Sequence, residues 1–360
     1  MKRIGFLVLL INSLYGFDTD IDGYIRGGYQ SFKDNRINKS DGAISSKFKI
    51  DISNNFNNIF YGLVGSFYGV KNIGDINNIG VSFYSSDNKS YGIIGEAYLK
   101  VKISKTQIKI GRQEIDTPFI NSDDIGMIPN FYKGISLVSK DIDNFKIIMG
   151  YFDKWAGVDA DIPQKFQQMN GDNAVEFIGA IYGGIENLTL QSWFYNIEDR
   201  LTTIYLESSY KLNDNIIIST QYANQDNSQT YGLSLDLTYD KIGISSSIRY
   251  NITDGMGADN LFGGGVFFTN AEHLTMMDID ANGEGLMIGA NWNLSKVGLI
   301  GLDISASYLT LSDDINEIDI SMEYIYRDDL SLKIIYSDIE DKVDDDNSFQ
   351  DLRVFIQYNF

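Results

Sequence analysis

The 360-residue chain has no cysteine, three prolines and a single histidine. Absence of cysteine removes disulfide frameworks, thiolate metal sites and thiol nucleophiles together. No apolar run reaches the roughly 18 residues that a membrane-spanning helix needs, which excludes a helical membrane protein. Basic residues are scarce, 29 Lys and Arg against 49 Asp and Glu, and that balance argues against a nucleic-acid partner. Tyrosine, phenylalanine and glycine are plentiful at 23, 21 and 34. Aromatics at this level suit the girdles of a membrane β-barrel, although a soluble β-sandwich could share the composition.

The chain ends separate these two readings. Met1, Lys2 and Arg3 precede an apolar stretch from Ile4 to Leu14, the layout of a secretory signal and too short to cross a bilayer as a helix. Residues 1–16 are therefore expected to be a signal peptide and 17–360 a single barrel domain. Removing Lys2 and Arg3 leaves 27 basic against 49 acidic residues, a formal charge of about −22. At the other end Leu352, Val354, Ile356, Tyr358 and Phe360 alternate with Asp351, Arg353, Gln357 and Asn359. Side chains alternate faces with period two, so this segment faces hydrocarbon on one side and mostly water on the other.

Period-two stretches bounded by Asn, Asp, Gly or Ser recur about 18 times at membrane-strand length. They fall near 20–31, 43–52, 58–68, 91–102, 106–113, 132–139, 144–154, 173–182, 188–197, 201–211, 215–225, 230–239, 241–252, 285–294, 298–309, 316–326, 330–338 and 349–360. Tight links such as Ser104-Lys105 and Asp328-Asp329 alternate with the long segments 69–90, 114–131, 155–172, 253–284 and 339–348. Short periplasmic turns alternating with longer extracellular loops predict an all-β fold: one antiparallel transmembrane barrel in the bacterial outer membrane. All three prolines, Pro118, Pro129 and Pro163, fall in the outer set, where a missing N–H costs a strand ladder nothing. About 18 strands enclose an aqueous channel, and no residues are spare for the plug of a siderophore-type transporter.

Assigning faces strand by strand puts Arg26, Lys47, Lys49, Lys100, Lys109, Lys146, Lys333 and Arg353 in the lumen as a basic wall, with Arg249 set apart. Glu207, Asp236, Asp303, Asp319 and Glu323 form an acidic wall on the remaining arc, while Asp22, Asp51 and Glu96 sit among the cations. Such a separation predicts a transverse field that orients charged solutes. The plain alternative is that any wet face carries charge.

The most distinctive irregular stretch runs from Gly111 to Phe131. Its spacing of Gly111, Gln113, Pro118, Ser122-Asp123 and Pro129, followed by Gly134, resembles the third-loop region of the OprD family of outer-membrane substrate-specific porins. The resemblance implies an 18-stranded barrel, an inward-folded loop that forms the constriction, and a basic ladder guiding small carboxylate or amino-acid-like nutrients. Carried over residue by residue, it makes Ser122, Asp123 and Asp124 constriction candidates, together with Asp116, and Arg112 a charge at the base. The family commonly has an arginine three positions before the second proline; this chain has Gly126. The competing reading has the loop simply buttress the barrel from inside.

The longest outer loop holds Leu261 to Thr269, Glu272-His273, and then Asp278, Asp280 and Asn282 followed by Gly283. Asp-x-Asp-x-Asn-Gly is the first half of a calcium loop, but Gly289 stands where an EF-hand needs its bidentate Glu. A simpler extracellular Ca²⁺ site at Asp278, Asp280 and Asn282 is the candidate; no cofactor is otherwise required. Acidic turns at Asp313-Asp314 and Asp344 to Asp346 are placed to meet divalent cations bridging surface lipids. His273 has no nucleophile near it in sequence, so an enzyme is not expected. The expectation is a passive channel for small hydrophilic solutes, with membrane lipid and lipopolysaccharide as surroundings and a monomer or homotrimer as assembly. The alternatives are a general porin without preference and a structural or adhesin barrel.

Overall fold

The last residue of the chain is paired to the first strand. Gly23 N–H donates to the Phe360 carbonyl at 3.0 Å, and Phe360 N–H donates back to Gly23 at 2.9 Å. This seam closes one antiparallel sheet in the computed structural model, which describes residues 16–73, 83, 85, 89–279 and 281–360. The segments are β1 (Asp18–Asp34), β2 (Asn38–Phe56), β3 (Ile59–Asn72), β4 (Tyr91–Ile103), β5 (Thr106–Gln113), β6 (Phe131–Ser139), β7 (Phe145–Ala156), β8 (Gln167–Gln168), β9 (Val175–Ile185) and β10 (Leu188–Ile197). They continue as β11 (Leu201–Asn213), β12 (Ile216–Gln225), β13 (Ser228–Tyr239), β14 (Ile244–Gly255), β15 (Glu284–Asn293), β16 (Leu302–Leu311), β17 (Ile315–Arg327), β18 (Leu330–Asp341) and β19 (Phe349–Asn359). The two-residue β8 only extends the edge of β7, which pairs directly with β9. The closed wall therefore has eighteen strands, as the sequence pattern predicts, each hydrogen-bonded on both sides so that no edge meets lipid. The expected signal segment lies almost wholly outside the described residues.

The start of β1 and the end of β19 lie at the rim that carries the tight links. Asn57 and Asn58 close β2 to β3 with φ of 50° and 65°, the left-handed pair that a two-residue hairpin requires. Ser104-Lys105, Glu186-Asn187 and Asp328-Asp329 are equally short, and the long segments 73–90, 114–130, 157–174 and 256–283 leave the opposite rim. Several strands run past their predicted limits, β2 by five residues at its start. Ladder pairing between neighbours continues through Asn38 to Gly42, although side-chain alternation there is too polar to read as strand.

Ile25, Leu63, Phe67, Ile94 and Leu233 are each about half exposed on the outward face, while Tyr24, Arg26, Tyr68 and Lys100 on the other face are buried. The inward face is less wet than its sequence suggests. From β7 to β11 it carries Ile148, Phe152, Phe177, Trp193, Tyr195 and Tyr205, all at most 4% exposed. These apolar residues avoid water because loops fold in to cover them.

Candidate functional site: a constriction built by two inward loops

The segment 114–130 turns into the barrel and inserts its tip among rings. Phe119 is fully buried, edge-on to Tyr195, Tyr205 and Phe267 at centroid distances of 5.4, 5.7 and 6.1 Å. Burying one such ring contributes about 1.5–3 kcal/mol, and each edge-to-face pair adds about 0.5–1.5 kcal/mol. These ring contacts are what the competing, buttressing reading calls for, and they hold the loop inside the barrel.

The second inward segment, 256–283, was expected to be a solvated outer loop. It lies against the first instead: Phe262 N–H donates to the Phe119 carbonyl at 3.0 Å and Asn121 N–H to the Phe262 carbonyl at 3.3 Å. The Tyr132 hydroxyl lies 2.7 Å from both the Asn121 and the Phe262 carbonyl oxygens, which share its one proton. Gly263 and Gly264 have φ of +96° and +55°, and a Cβ on Gly263 would sit 2.7 Å from the Asn121 carbonyl oxygen. Only glycine lets the two backbones come this close. The signal available in the sequence was the apolar run Leu261, Phe262, Val266, Phe267, which water does not retain.

The constriction candidates divide into three groups. Asp123 and Asp124 face the lumen. Asp116 and Ser122 tie the loop to itself, the Ser122 hydroxyl and N–H donating to Asp116 Oδ1 at 2.6 and 3.0 Å. Arg112 is misassigned by the sequence reading: it is the register partner of Ala97 and Lys133 on the outward face, because its neighbour Gln113 points inward to Ser136 and alternation sends Arg112 the other way. A guanidinium does reach the loop at Gly126, but it comes from β1, where Arg26 donates to the Gly126 carbonyl at 2.6 Å.

The predicted wall cations on β1, β2 and β4 all face the lumen, yet they do not form a free ladder. Lys47 is 3.5 Å from Asp22 and Lys49 3.0 Å from Glu96; Lys100 pairs with Asp51. The last two bridges reach over β3, where Gly62 and Ser66 leave room. Lys109 lies over the Tyr98 ring at 4.9 Å, Arg249 is 3.5 Å from Asp236, and Lys146 sits on the inward face beside the aromatic cluster. Arg353 is 1% exposed and held by Glu272 at 2.6 Å and Asp351 at 3.2 Å. The expected segregation of signs is thus corrected to interleaved pairs, since a half-buried cation without a partner costs several kcal/mol. Of the acids, Glu207 accepts from the Tyr205 hydroxyl at 2.5 Å, Asp303 stands opposite Glu323, and Asp319 accepts from Ser337 at 2.7 Å.

Two lumen cavities meet at the neck. The outer one, 580 Å³, is lined by Asp123, Asp159, Glu272 and Asp319 among neutral residues, and among the described residues no Lys or Arg borders it. The second, 220 Å³, brings Arg26 and Lys333 to Asp124, Glu272 and Glu323. Ile125 and Glu272 border both, so the neck lies between the two inward loops. A third space, 260 Å³, carries Arg249 and Asp236 and continues from the outer cavity along Met287, Ser305 and Ser307. Burial first, and then the charge of Asp123, push the Asp159 carboxyl up to about 7; burial also raises Asp123.

The described members of the calcium candidate are engaged otherwise. Asp278 accepts from Thr275 N–H at 2.7 Å as part of a capping box, and Asn282 accepts from Gly255 N–H at 2.8 Å; Asp280 lies outside the described residues. His273 is tucked inside, its Nε2 3.2 Å from Asp351 Oδ2.

With that geometry in hand, comparisons place the chain among known proteins. The family model "outer membrane porin, OprD family" matches residues 71–360. Among solved structures, Pseudomonas aeruginosa OccK9 (OpdG) superposes with a TM-score of 0.84 at 14% identity, covering 95% of this chain and 98% of that one. Acinetobacter baumannii OccAB2 gives 0.82 at 17% identity, with 95% and 98% covered. Pseudomonas aeruginosa OpdK with vanillate gives 0.79 at 15% identity, again 95% and 98%. Among curated protein sequences none matches.

Proposed function

The chain belongs to the OprD family of outer-membrane porins, and from that premise we propose that its channel passes small amino-acid-like solutes, orienting each by its two charges, with no chemistry done on them. One observation carries this reading: an outer cavity bordered, among the described residues, by four carboxylates and no cation opens onto a neck where Arg26 and Lys333 stand beside Asp124 and Glu323. A solute's ammonium is favoured in the first space and its carboxylate gains partners in the second. At physiological ionic strength charges act over about 8 Å, so a solute in the neck feels this set and little else. OpdK, which shares the fold, was solved with vanillate, a carboxylate.

Planar-bilayer recording in a KCl gradient, followed by liposome swelling with a zwitterionic amino acid and a dicarboxylate of equal size, tests the proposal. Cation preference together with faster entry of the zwitterion is expected. Anion preference, or equal rates for the two solutes, would sink it.

A further inference from the structure

Three cations stand in one row across neighbouring strands on the outward face of the barrel. Arg112 on β5 is the register partner of Lys133 on β6, and Lys133 that of Lys154 on β7. Alternation fixes their direction, because Gln113, Tyr132 and Trp155 beside them point inward. The row sits at the outer rim, where β5 ends, β6 begins and β7 ends. Adjacent strands lie about 4.8 Å apart, so the three charges span about 10 Å, the scale of a lipid headgroup.

The charges are only lightly engaged. Lys133 Nζ is 3.9 Å from Asp153, the one carboxylate in the bulge opposite it, and both side chains are more than a third exposed. Such a pair is weak in water. Arg112 lies over the Phe166 ring at 4.6 Å and donates Nη1 to the Ile94 carbonyl at 3.2 Å, which steadies the guanidinium for the two-pronged contact that phosphate accepts.

Directly toward the membrane from this row the outward face becomes a groove of 590 Å³. Ile108, Ile135, Leu137, Met149, Ile178 and Phe194 line it, with Glu176 near its outer end. Cations at headgroup level above an apolar trough match an amphiphile with a phosphate at one end and hydrocarbon at the other. The opposite arc carries the other sign: outward positions near the outer ends of β14, β15 and β18 hold Asp254, Glu284, Asp338 and Glu340.

We propose that Arg112, Lys133 and Lys154 bind the phosphate of a phosphorylated outer-leaflet lipid, with one acyl chain lying in the groove below. The inference rests on the outward face being embedded in the outer membrane. Its test uses the full-length protein in detergent, titrated with bisphosphorylated lipid A, with the same lipid A dephosphorylated, and with inorganic phosphate, and read by native mass spectrometry. Tight binding of the phosphorylated lipid alone is expected. The variant R112Q/K133Q/K154Q should lose about a hundredfold in affinity, at roughly fivefold per cation near a membrane surface. The outward control K33Q/K71Q should bind as the parent does. Unchanged affinity in the triple variant, equal binding of the dephosphorylated lipid, or saturation by inorganic phosphate alone would each overturn the proposal. Bilayer conductance is measured on the same samples. A triple variant that conducts normally has an intact barrel, and a parent that never conducts refutes the porin reading while the lipid titration stands by itself.

Discussion

Arg26 on β1 grips Asp124 on the first inward loop through two N–H···O bonds of 2.7 and 2.6 Å. The same guanidinium donates to the Gly126 carbonyl at 2.6 Å and, through Nε, to Gln357 on β19 at 2.7 Å. Four donors of one side chain thus fasten the neck to the seam where the barrel closes.

Replacing Arg26 by methionine should loosen that fastening by about 1–3 kcal/mol, since Asp124 is part exposed and water takes over some of the lost bonds. Single-channel traces should become noisier, with a larger mean conductance and the barrel still folded in detergent. A trace indistinguishable from the parent's would show that the clamp does not set the neck.

Phe119→Ala empties the aromatic cage of Tyr195, Tyr205 and Phe267. The expected cost, about 3–5 kcal/mol, falls on the docking of the two loops, because the strand ladders do not involve Phe119. Limited proteolysis should cut within 114–130 or 256–283 in the variant only, and conductance should rise. Resistance equal to the parent's would contradict the docking role.

The Asp123 and Asp159 carboxyls make the outer cavity pH-sensitive. Asp159 is raised to about 7 from an ordinary carboxylate value of 3.8, so the folded state holds a proton that the unfolded chain has already released between those values. Loop docking is therefore strongest in acid and weakens as pH rises toward 7. The cavity gains one negative charge over the last part of that range. Cation preference should increase between pH 6 and pH 8, and Asp159→Asn should flatten the profile. Reversal potentials measured across that range check both statements.

Lys47, Lys49 and Lys100 serve as a test of pairing against a free ladder. Neutralising all three exposes Asp22, Glu96 and Asp51, so the reversal potential should move toward cations. Removing Lys47 together with its partner, as K47Q/D22N, should leave it unchanged, whereas an unpaired ladder would shift in both cases.

The barrel was legible in the chain because hydrocarbon and water impose opposite demands on alternate residues. Leu352, Val354 and Ile356 against Asp351 and Arg353 suffice to orient β19, and the alternation of tight and long links yields the eighteen-strand closure. Parity also sorts Arg26, Lys47 and Lys100 to the lumen. Arg112 lies inside the predicted strand 106–113, three positions from inward Lys109, so alternation alone sends it outside, as the ladder does; only the carry-over from the family resemblance places it in the pore.

Tertiary structure alone decided which lumen charges meet. Lys49 finds Glu96 across an intervening strand, and Arg26 finds Asp124 almost a hundred positions away. Such contacts depend on register, on small residues such as Gly62 between the partners, and on two loops falling inward together. The wall is written as a local alternation that each strand carries for itself. The neck is a meeting of distant segments, and no local pattern records it.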